Sequence, residues 1–408
     1  MWTPWHYLGG KLWRLLVLLV ALLVVLTTVF LGQNSSASPN KIRGVWLTNV
    51  DSNVLYDPVQ LKTAIADLKS TNFNTLYPTV WNDGHTLYPS AVAQQWLGKK
   101  QDEKLGDRDM LGEVINLAKE KSLRVIPWFE FGFMAPAESD WVKAHPHWLT
   151  TNSQGETIWL EGGTIPRVWL NPLHPEVQQL ITALLVDLVR RYDVDGIQLD
   201  DHFGYPYSFG YDPITVALYR QETGQEPLPV PELDLNQNCV SSDPIWQQWT
   251  DWRSAKISRY VQSLVPILKA VKPNLTISIS PNPQTFSKNC FLLDWQTWHE
   301  AKVINELVLQ VYREKQAAFT GELQQSSVQQ TKQEIPVVVG ILSGLKNRSI
   351  PSARIKQQAQ WVDDQNFAGT AFFFYESLWN LEAETSPNPF GLKQQWQRLY
   401  RQLNADKF

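Results

Sequence analysis

Short apolar runs alternate with longer amphipathic stretches from Lys41 almost to the end of the chain. Most of the short runs are apolar at nearly every position, a pattern typical of parallel strands that are buried on both faces. Eight of them have the length of a strand: 44–48, 75–80, 124–129, 196–200, 275–280, 307–312, 336–341 and 370–375. Helical patterns fill the intervals at 57–70, 109–121, 173–191, 246–271 and 351–364, and a Gln-rich stretch at 314–332 fits a helix less well.

This alternation predicts an α/β fold, a single (βα)8 TIM barrel over residues 41–408. A doubly wound open sheet is the alternative, and it is disfavoured because no G-x-G-x-x-G motif follows the first predicted strand. Two connections are much longer than an ordinary barrel loop. They run from Gly132 to about Asn171, after the third predicted strand, and from His202 to about Asp243, after the fourth. Both leave the C-terminal end of a strand, where barrel active sites are built.

The N-terminal segment has the pattern of a signal anchor. Residues 15–31 are almost entirely apolar, Lys11 and Arg14 precede them, and a polar stretch follows. The position of the basic residues predicts a cytoplasmic N-terminus, with residues 41–408 outside the cytoplasm, periplasmic or extracellular. Cleavage near Ser35 and Ala37, which would release a secreted protein, is the alternative. Residues 1–40 are therefore interpreted as a cytoplasmic stub, a membrane-spanning signal segment and a short linker.

Composition narrows the function classes. The net charge of −4 and the lack of a Lys/Arg run argue against a nucleic-acid partner. The count of 19 Trp is high, and indole rings suit a surface that packs on the apolar faces of sugar rings, although a large core also uses them. Cys239 and Cys290 form no C-x-x-C pair, so they argue against a zinc ribbon, and in an exported protein they could form one disulfide.

Motifs for other chemistries are missing from the sequence. No H-E-x-x-H is present, and the nearest approach to a ligand pair, His145 and His147, flanks Pro146 on a predicted loop. We therefore predict neither a metal site nor a cofactor. No G-x-S-x-G or Walker motif occurs, which argues against a serine hydrolase of the α/β type and against a P-loop NTPase.

Candidate catalytic residues lie at the ends of predicted strands. Asp200 and Asp201 close the fourth, and Asp200 alternates in phase with Gln198, so one of the two carboxylates should point into the barrel mouth. Glycoside hydrolysis needs a second carboxyl group. The candidates are Glu130 after the third strand, Glu376 after the eighth and, less favoured, Glu314 after the sixth. Aromatic neighbours surround Glu130, and burial among them would raise its pKa and suit a general acid.

Aromatic and polar side chains near the same strand ends are predicted to bind the sugar. These substrate-binding candidates are Trp46, Tyr77, Trp81, Asn82, Trp128, Asn171, Gln198, His202, Tyr205, Asn282, Tyr312, Arg313 and Tyr375.

The chain resembles the glycosyl hydrolase-like 10 family over about residues 41–385. The resemblance is carried by the segments 43–47, 74–82 and 124–130, and above all by D-G-I-Q-L-D-D-H-F-G-Y-P at 195–206. It implies a TIM barrel that acts on glycans, among them bacterial cell-wall glycan, with Asp200 and Asp201 in the active site. The family pattern carries Asn-Pro where this chain has Glu130-Phe131, so the resemblance does not extend to the general acid.

The preferred function is a glycoside hydrolase that acts on cell-envelope or extracellular polysaccharide through two carboxyl groups. A catalytically silent, glycan-binding barrel is the main alternative, because fold alone does not separate the two. Metal-assisted hydrolysis is a third, and the sparse ligand inventory disfavours it. Two carboxyl groups that face each other across the barrel mouth would support the hydrolase.

Overall fold

The computed structural model describes residues 41–226, 228–230, 238–346, 348–379 and 389–405. The chain from Ile42 onward forms one compact unit. The predicted membrane segment at residues 15–31 lies outside the described residues. Among the residues that are described, no helix combines the length and the apolar character needed to cross a membrane.

Nine strands form one parallel sheet. In chain order they are β1 (Ile42–Leu47), β2 (Thr75–Pro78), β3 (Arg124–Val125), β4 (Trp128–Phe129), β5 (Gly196–Asp200), β6 (Thr276–Ser280), β7 (Glu306–Gln310), β8 (Val337–Leu342) and β9 (Gly369–Phe373). Their order across the sheet is β3-β2-β1-β9-β8-β7-β6-β5-β4. Each coincides with a predicted apolar run, and their residues are nearly all buried.

The two ends of this sheet belong to one stretch of chain. Strands β3 and β4 are separated only by Ile126 and Pro127, yet β3 pairs with β2 and β4 pairs with β5. The predicted third strand is split here because Pro127 has no N–H to give to a ladder. The sheet therefore curls round until its ends meet, which agrees with the predicted α/β class and with the curvature of a barrel.

Helices fill the intervals, as the sequence predicts. They are Pro58–Ser70, Ala91–Leu97, Met110–Glu120, Asp140–Ala144, Pro175–Arg191, Pro213–Thr223, Pro244–Val271, Gln284–Phe291, Trp295–Glu300, Gln316–Leu323, Ser326–Glu334, Ser352–Asp364 and Pro389–Leu403. Three of them begin with the same device, an N-cap aspartate whose carboxylate accepts backbone N–H groups and a proline at the first helical position. These aspartates are Asp57, Asp212 and Asp243.

Both long connections contain structure of their own. The connection after β4 forms a three-stranded antiparallel sheet, Met134–Pro136, Ile165–Trp169 and Trp159–Glu161, with the first two paired to each other. The connection after β5 carries the helix Pro213–Thr223. A disulfide between Cys239 and Cys290 then fixes this connection to the helix Gln284–Phe291.

The inside of the curled sheet holds a chain of polar contacts. The indole N–H of Trp46 donates to Gln198 (2.8 Å), and the Gln198 amide donates to the Ser278 hydroxyl (3.0 Å). Ser278 in turn donates to the Glu306 carboxylate (2.9 Å), which also pairs with Arg124 (3.2 Å). Side chains from β1, β3, β5, β6 and β7 therefore meet in the interior, below the C-terminal strand ends.

Candidate active site

Asp200, the last residue of β5, is held by side chains from two neighbouring strands. Its Oδ1 accepts hydrogen bonds from the Ser280 hydroxyl (2.8 Å) and the Gln310 amide (2.9 Å). Since Ser280 ends β6 and Gln310 ends β7, Asp200 points into the curled sheet, in phase with Gln198, as its alternation predicts. Only 3% of the Asp200 side chain is exposed. Burial raises the pKa of Asp200 well above its usual range, and the neighbouring charge of Asp201 adds to the rise.

Asp201 and His202 lie beside it. His202 Nδ1 is 3.0 Å from Asp200 Oδ2 and 3.2 Å from Asp201 Oδ1, and the Asn282 amide donates to Asp201 Oδ2 (2.6 Å). Burial lowers the pKa of His202, but the charges of Asp201 and Asp200 outweigh it and raise this pKa to about 10. The imidazolium therefore joins two carboxyl groups of consecutive residues. Asp201 is the more accessible of the two, with 16% of its side chain exposed.

Glu130 follows β4, the neighbour of β5. Its Oε2 accepts hydrogen bonds from the Asn82 amide (2.5 Å) and the Thr79 hydroxyl (3.2 Å), while its backbone carbonyl is 3.1 Å from His202 Nδ1. Burial raises the pKa of Glu130 to about 7, although Asn82, His202 and Thr79 each lower it. A carboxyl group that keeps its proton near neutral pH suits a general acid.

Next to these groups, the backbone of the loop after β4 lies very close to the backbone of the loop after β5. Gly132 has a φ of +48°, and a Cβ on it would lie 2.3 Å from the carbonyl oxygen of His202. The N–H of Phe133 donates to that same carbonyl (2.9 Å). Only glycine accommodates both the backbone conformation and the contact, so the loop after β4 is fixed against the loop that carries His202.

Aromatic rings line the base and one side of the Asp200–Asp201 site. Trp46 contacts the rings of Tyr77, Trp128 and Phe373 at centroid distances of 5.4, 6.1 and 6.0 Å. The Trp128 indole donates to Ser280, the residue that holds Asp200. The ring of Tyr312 lies 5.6 Å from Phe373. Burial raises the pKa of Tyr312 well above its usual range, and the charges of Asp200, Asp201 and Glu130 add to the rise.

Glu376 lies elsewhere, in a cavity of about 880 Å³ after β1 and β9. Its Oε1 accepts a hydrogen bond from the Ser52 hydroxyl, and the N–H groups of Asn53 and Val54 also contact its carboxyl group. Burial raises the pKa of Glu376 to about 7. These contacts point the carboxyl group at the loop that follows β1, and Tyr375 lines the same cavity.

The structure does not bring five other predicted residues to the Asp200–Asp201 site. Trp81 is buried in the main core, stacked on Phe129, with its indole bonded to the Gly132 carbonyl. The Asn171 amide donates to Asp212 and Thr215, the Arg313 guanidinium pairs with Glu322, and the Tyr205 side chain is buried in the loop after β5. Glu314, the less favoured acid, pairs with Arg348.

Sequence reasoning missed several groups that hold the site. They are Thr79, Ser280 and Gln310, and the stacking of Trp169 on His202 at 5.8 Å was not predicted either. Ser280 and Gln310 are the last residues of their strands, as Asp200 is of its own. That shared position is a signal that could have found them, because the C-terminal ends of neighbouring parallel strands meet at one edge of the sheet.

Two clusters present metal-ligand atoms within 4.8 Å of one another among the described residues: Asp200–Asp201–His202 and His147–His174–Glu176. In the first cluster, His202 Nδ1 lies within hydrogen-bond distance of both aspartates. In the second, His174 Nδ1 accepts the Glu176 N–H (3.2 Å).

A curled parallel α/β sheet with carboxyl groups clustered at the C-terminal strand ends is an arrangement that glycoside hydrolases share. The chain belongs to the glycosyl hydrolase-like 10 family, whose match covers residues 41–363. It is 23% identical over 283 residues to the glycosyl hydrolase DigH of Escherichia coli (strain K12), covering 60% of this chain and 56% of DigH. It is 20% identical over 287 residues to the glycosyl hydrolase YngK of Bacillus subtilis (strain 168), covering 66% of this chain and 50% of YngK. The chain thus spans about half the length of these relatives.

A solved structure extends the likeness in fold. The glycoside hydrolase domain of PgaB (BpsB) from Bordetella bronchiseptica superposes with a TM-score of 0.63 at 14% sequence identity. The superposition covers 90% of this chain and 99% of that domain. At this identity the likeness shows the fold, which agrees with the predicted TIM-barrel class.

Proposed function

We propose that this protein hydrolyses O-glycosidic bonds in a polysaccharide of the cell envelope or its surroundings. The observation that carries the proposal is the cluster of three carboxyl groups on adjacent strands, in which Glu130 has a pKa near 7 and Asp201 lies beside an imidazolium. Membership of a glycosyl hydrolase-like family supports it. Counting β3 and β4 as one interrupted strand completes a (βα)8 barrel, with this cluster at its mouth.

The contacts suggest a role for each group. Glu130, protonated at neutral pH, donates its proton to the glycosidic oxygen as the bond from that oxygen to the anomeric carbon breaks. Asp201 supplies the carboxylate that stabilises the anomeric centre, as a nucleophile or as the base for the attacking water. Asp200 and His202 position Asp201, because His202 Nδ1 contacts both carboxyl groups and Asp200 is itself fixed by Ser280 and Gln310.

Location outside the cytoplasm is part of the proposal. The disulfide between Cys239 and Cys290 supports an oxidising compartment, where such bonds persist. The apolar segment at residues 15–31 would hold the protein to the membrane.

Turnover tests the proposed activity directly. The full chain and its Asp200→Asn/Asp201→Asn double variant are incubated with peptide-free and intact cell-wall glycan, and new reducing ends are counted. Asp193→Asn is a matched control, because this carboxylate is exposed and lies near the other end of β5. We expect product from the wild type and the control, and a loss of at least about a hundredfold in the double variant.

Two results would contradict the proposal. Equal product from wild type and double variant would place the chemistry elsewhere. Glycan binding by both proteins without any product would favour a silent glycan-binding barrel.

A further inference from the structure

A series of aromatic rings leaves the Asp200–Asp201 site through His202. The Trp169 ring is stacked on His202 at 5.8 Å, and Trp159 packs edge-on against Trp169 at 5.7 Å. Phe291 contacts both tryptophans, at 6.1 Å from Trp169 and 6.3 Å from Trp159, and Phe286 follows at 5.7 Å from Phe291. We call Trp169, Trp159, Phe291 and Phe286 the aromatic track.

Exposure changes along the track. Trp169, next to His202, is fully buried, whereas Trp159, Phe291 and Phe286 are partly exposed. Packing in a core does not require three large rings that stay partly exposed at the edge of a site. Indole and phenyl faces in this position suit a ligand that is itself apolar on its flat faces and polar at its edges, as a pyranose ring is.

The track is also held rigidly. Trp159 and Trp169 lie on neighbouring strands of the antiparallel sheet after β4, where Trp159 is paired with Arg167. The Arg167 guanidinium bonds to Glu161 within this sheet and to Asp83 in the turn after β2. On the other side, the N–H of Tyr205 donates to the Phe291 carbonyl (2.9 Å), and Cys290 next to Phe291 carries the disulfide. A surface fixed in this way binds with little loss of conformational entropy.

We infer that the aromatic track binds the continuation of a glycan chain, so that the site takes polymeric glycan in preference to short oligosaccharides. The inference rests on the proposed function and deepens it, by naming the chain length that the site selects. The long connection after β4 and the helix Gln284–Phe291, which follows β6, meet to build the track. Leu160 and Ile165, each about half exposed, are further apolar side chains on the same antiparallel sheet.

The experiment compares long and short substrates in ring-removal variants. Trp159→Ala and Phe286→Ala are made in the full chain and assayed on long peptide-free cell-wall glycan and on tetrasaccharides prepared from it. The matched control is Trp252→Ala, since Trp252 is also partly exposed but packs on Trp249 in the helix Pro244–Val271. The conservative variant Trp159→Phe keeps an aromatic ring at position 159.

We expect kcat/KM on the long glycan to fall by about tenfold in each track variant, the loss for one aromatic contact of about 1.4 kcal/mol. Tetrasaccharide turnover should stay within about twofold, the control should resemble the wild type, and Trp159→Phe should recover most of the loss. Equal losses on long and short substrates would overturn the inference, because they would mean that the rings only support the fold. No loss on either substrate would overturn it as well.

Binding separates this inference from the proposed activity. Retention of the long glycan is measured by sedimentation with wild type, Trp159→Ala and Trp252→Ala. Suppose that no protein hydrolyses the glycan, but the wild type binds the long glycan and Trp159→Ala does not. The proposed activity is then contradicted, and glycan binding by the aromatic track is supported. If instead hydrolysis occurs but Trp159→Ala binds the long glycan as the wild type does, glycan binding by the track is contradicted and the proposed activity is supported.

Discussion

Glu130 and Asp201 differ in the solvent and the partners around them. Burial keeps the proton on Glu130 up to a pH of about 7, while Asp201 lies against an imidazolium and is partly exposed. The raised pKa of Glu130 supports its role as the acid. The pH dependence of turnover therefore reports on Glu130.

Turnover should fall as pH rises through about 7, because Glu130 must carry its proton to act as the acid. The Asn82 amide donates to the Glu130 carboxylate, which favours the charged form and lowers the pKa. Asn82→Ala should therefore raise the Glu130 pKa and move the alkaline limb of the kcat/KM profile upward by about one pH unit. Asn152→Ala, which removes an amide bonded to Glu156 on an exposed loop, should leave the limb in place. If the alkaline limb of the Asn82→Ala profile stayed in place or moved to lower pH, Glu130 would be excluded as the acid.

Gly132 offers a second test at the scale of one residue. A methyl group there would meet the His202 carbonyl, whereas Gly155, also at positive φ (+81°), has nothing within 4 Å of its Cβ position. Both alanine variants bear a backbone strain of about 1 kcal/mol, but only Gly132→Ala must also displace the loop that carries His202. We expect Gly132→Ala to lose turnover by at least about tenfold and Gly155→Ala to retain it. Matching kinetics in the two variants would mean that this close approach does not position His202.

At the scale of elements, the disulfide ties the connection after β5 to the helix Gln284–Phe291, closing a separation of 51 residues. Loss of this crosslink should reduce the free energy of unfolding by about 4 kcal/mol on chain entropy alone. Guanidinium unfolding with and without reductant measures the effect. Cys239→Ser/Cys290→Ser should be as unstable as the reduced wild type and should not respond to reductant. A reductant-sensitive double variant would point to a different cause.

The pattern of apolar positions was enough to predict the strands of the sheet, since strands such as β8 (VVVGIL) are buried at nearly every position and form unbroken apolar runs. The same reasoning placed Asp200 inside the sheet from its phase with Gln198. It could not predict the sheet within the long connection after β4, because Trp159–Glu161 is partly exposed and has no buried run. It did not predict that Trp169 stacks on His202, since that contact depends on how two connections fold over each other.

At the scale of the whole molecule, Glu306 and Arg124 link strands β7 and β3 inside the curled sheet. Glu306 is almost fully buried, and besides Arg124 it accepts hydrogen bonds from Tyr77 and Ser278. Arg124→Met should destabilise the protein by about 1–3 kcal/mol, because it leaves a buried carboxylate without its cation. Arg124→Met/Glu306→Gln should cost less than the sum of the single changes in thermal unfolding. Additive costs would show that the two side chains are not coupled.

The split between β3 and β4 has a consequence for how the molecule opens. A closed ring of strands has no free edge, so it unfolds first where its ladder is weakest. At the joint where β2, the β3–β4 stretch and β5 meet, Pro78 has no N–H to give to the β3–β4 stretch, and Pro127, whose carbonyl accepts the Gln198 N–H, has none to give to β5. Amide protons of 75–80 and 124–129 should then exchange with solvent sooner than those of β5 to β8. Glu130 stands one residue beyond this joint. If glycan contacts Glu130 as proposed, amide exchange at the joint should slow when glycan is bound.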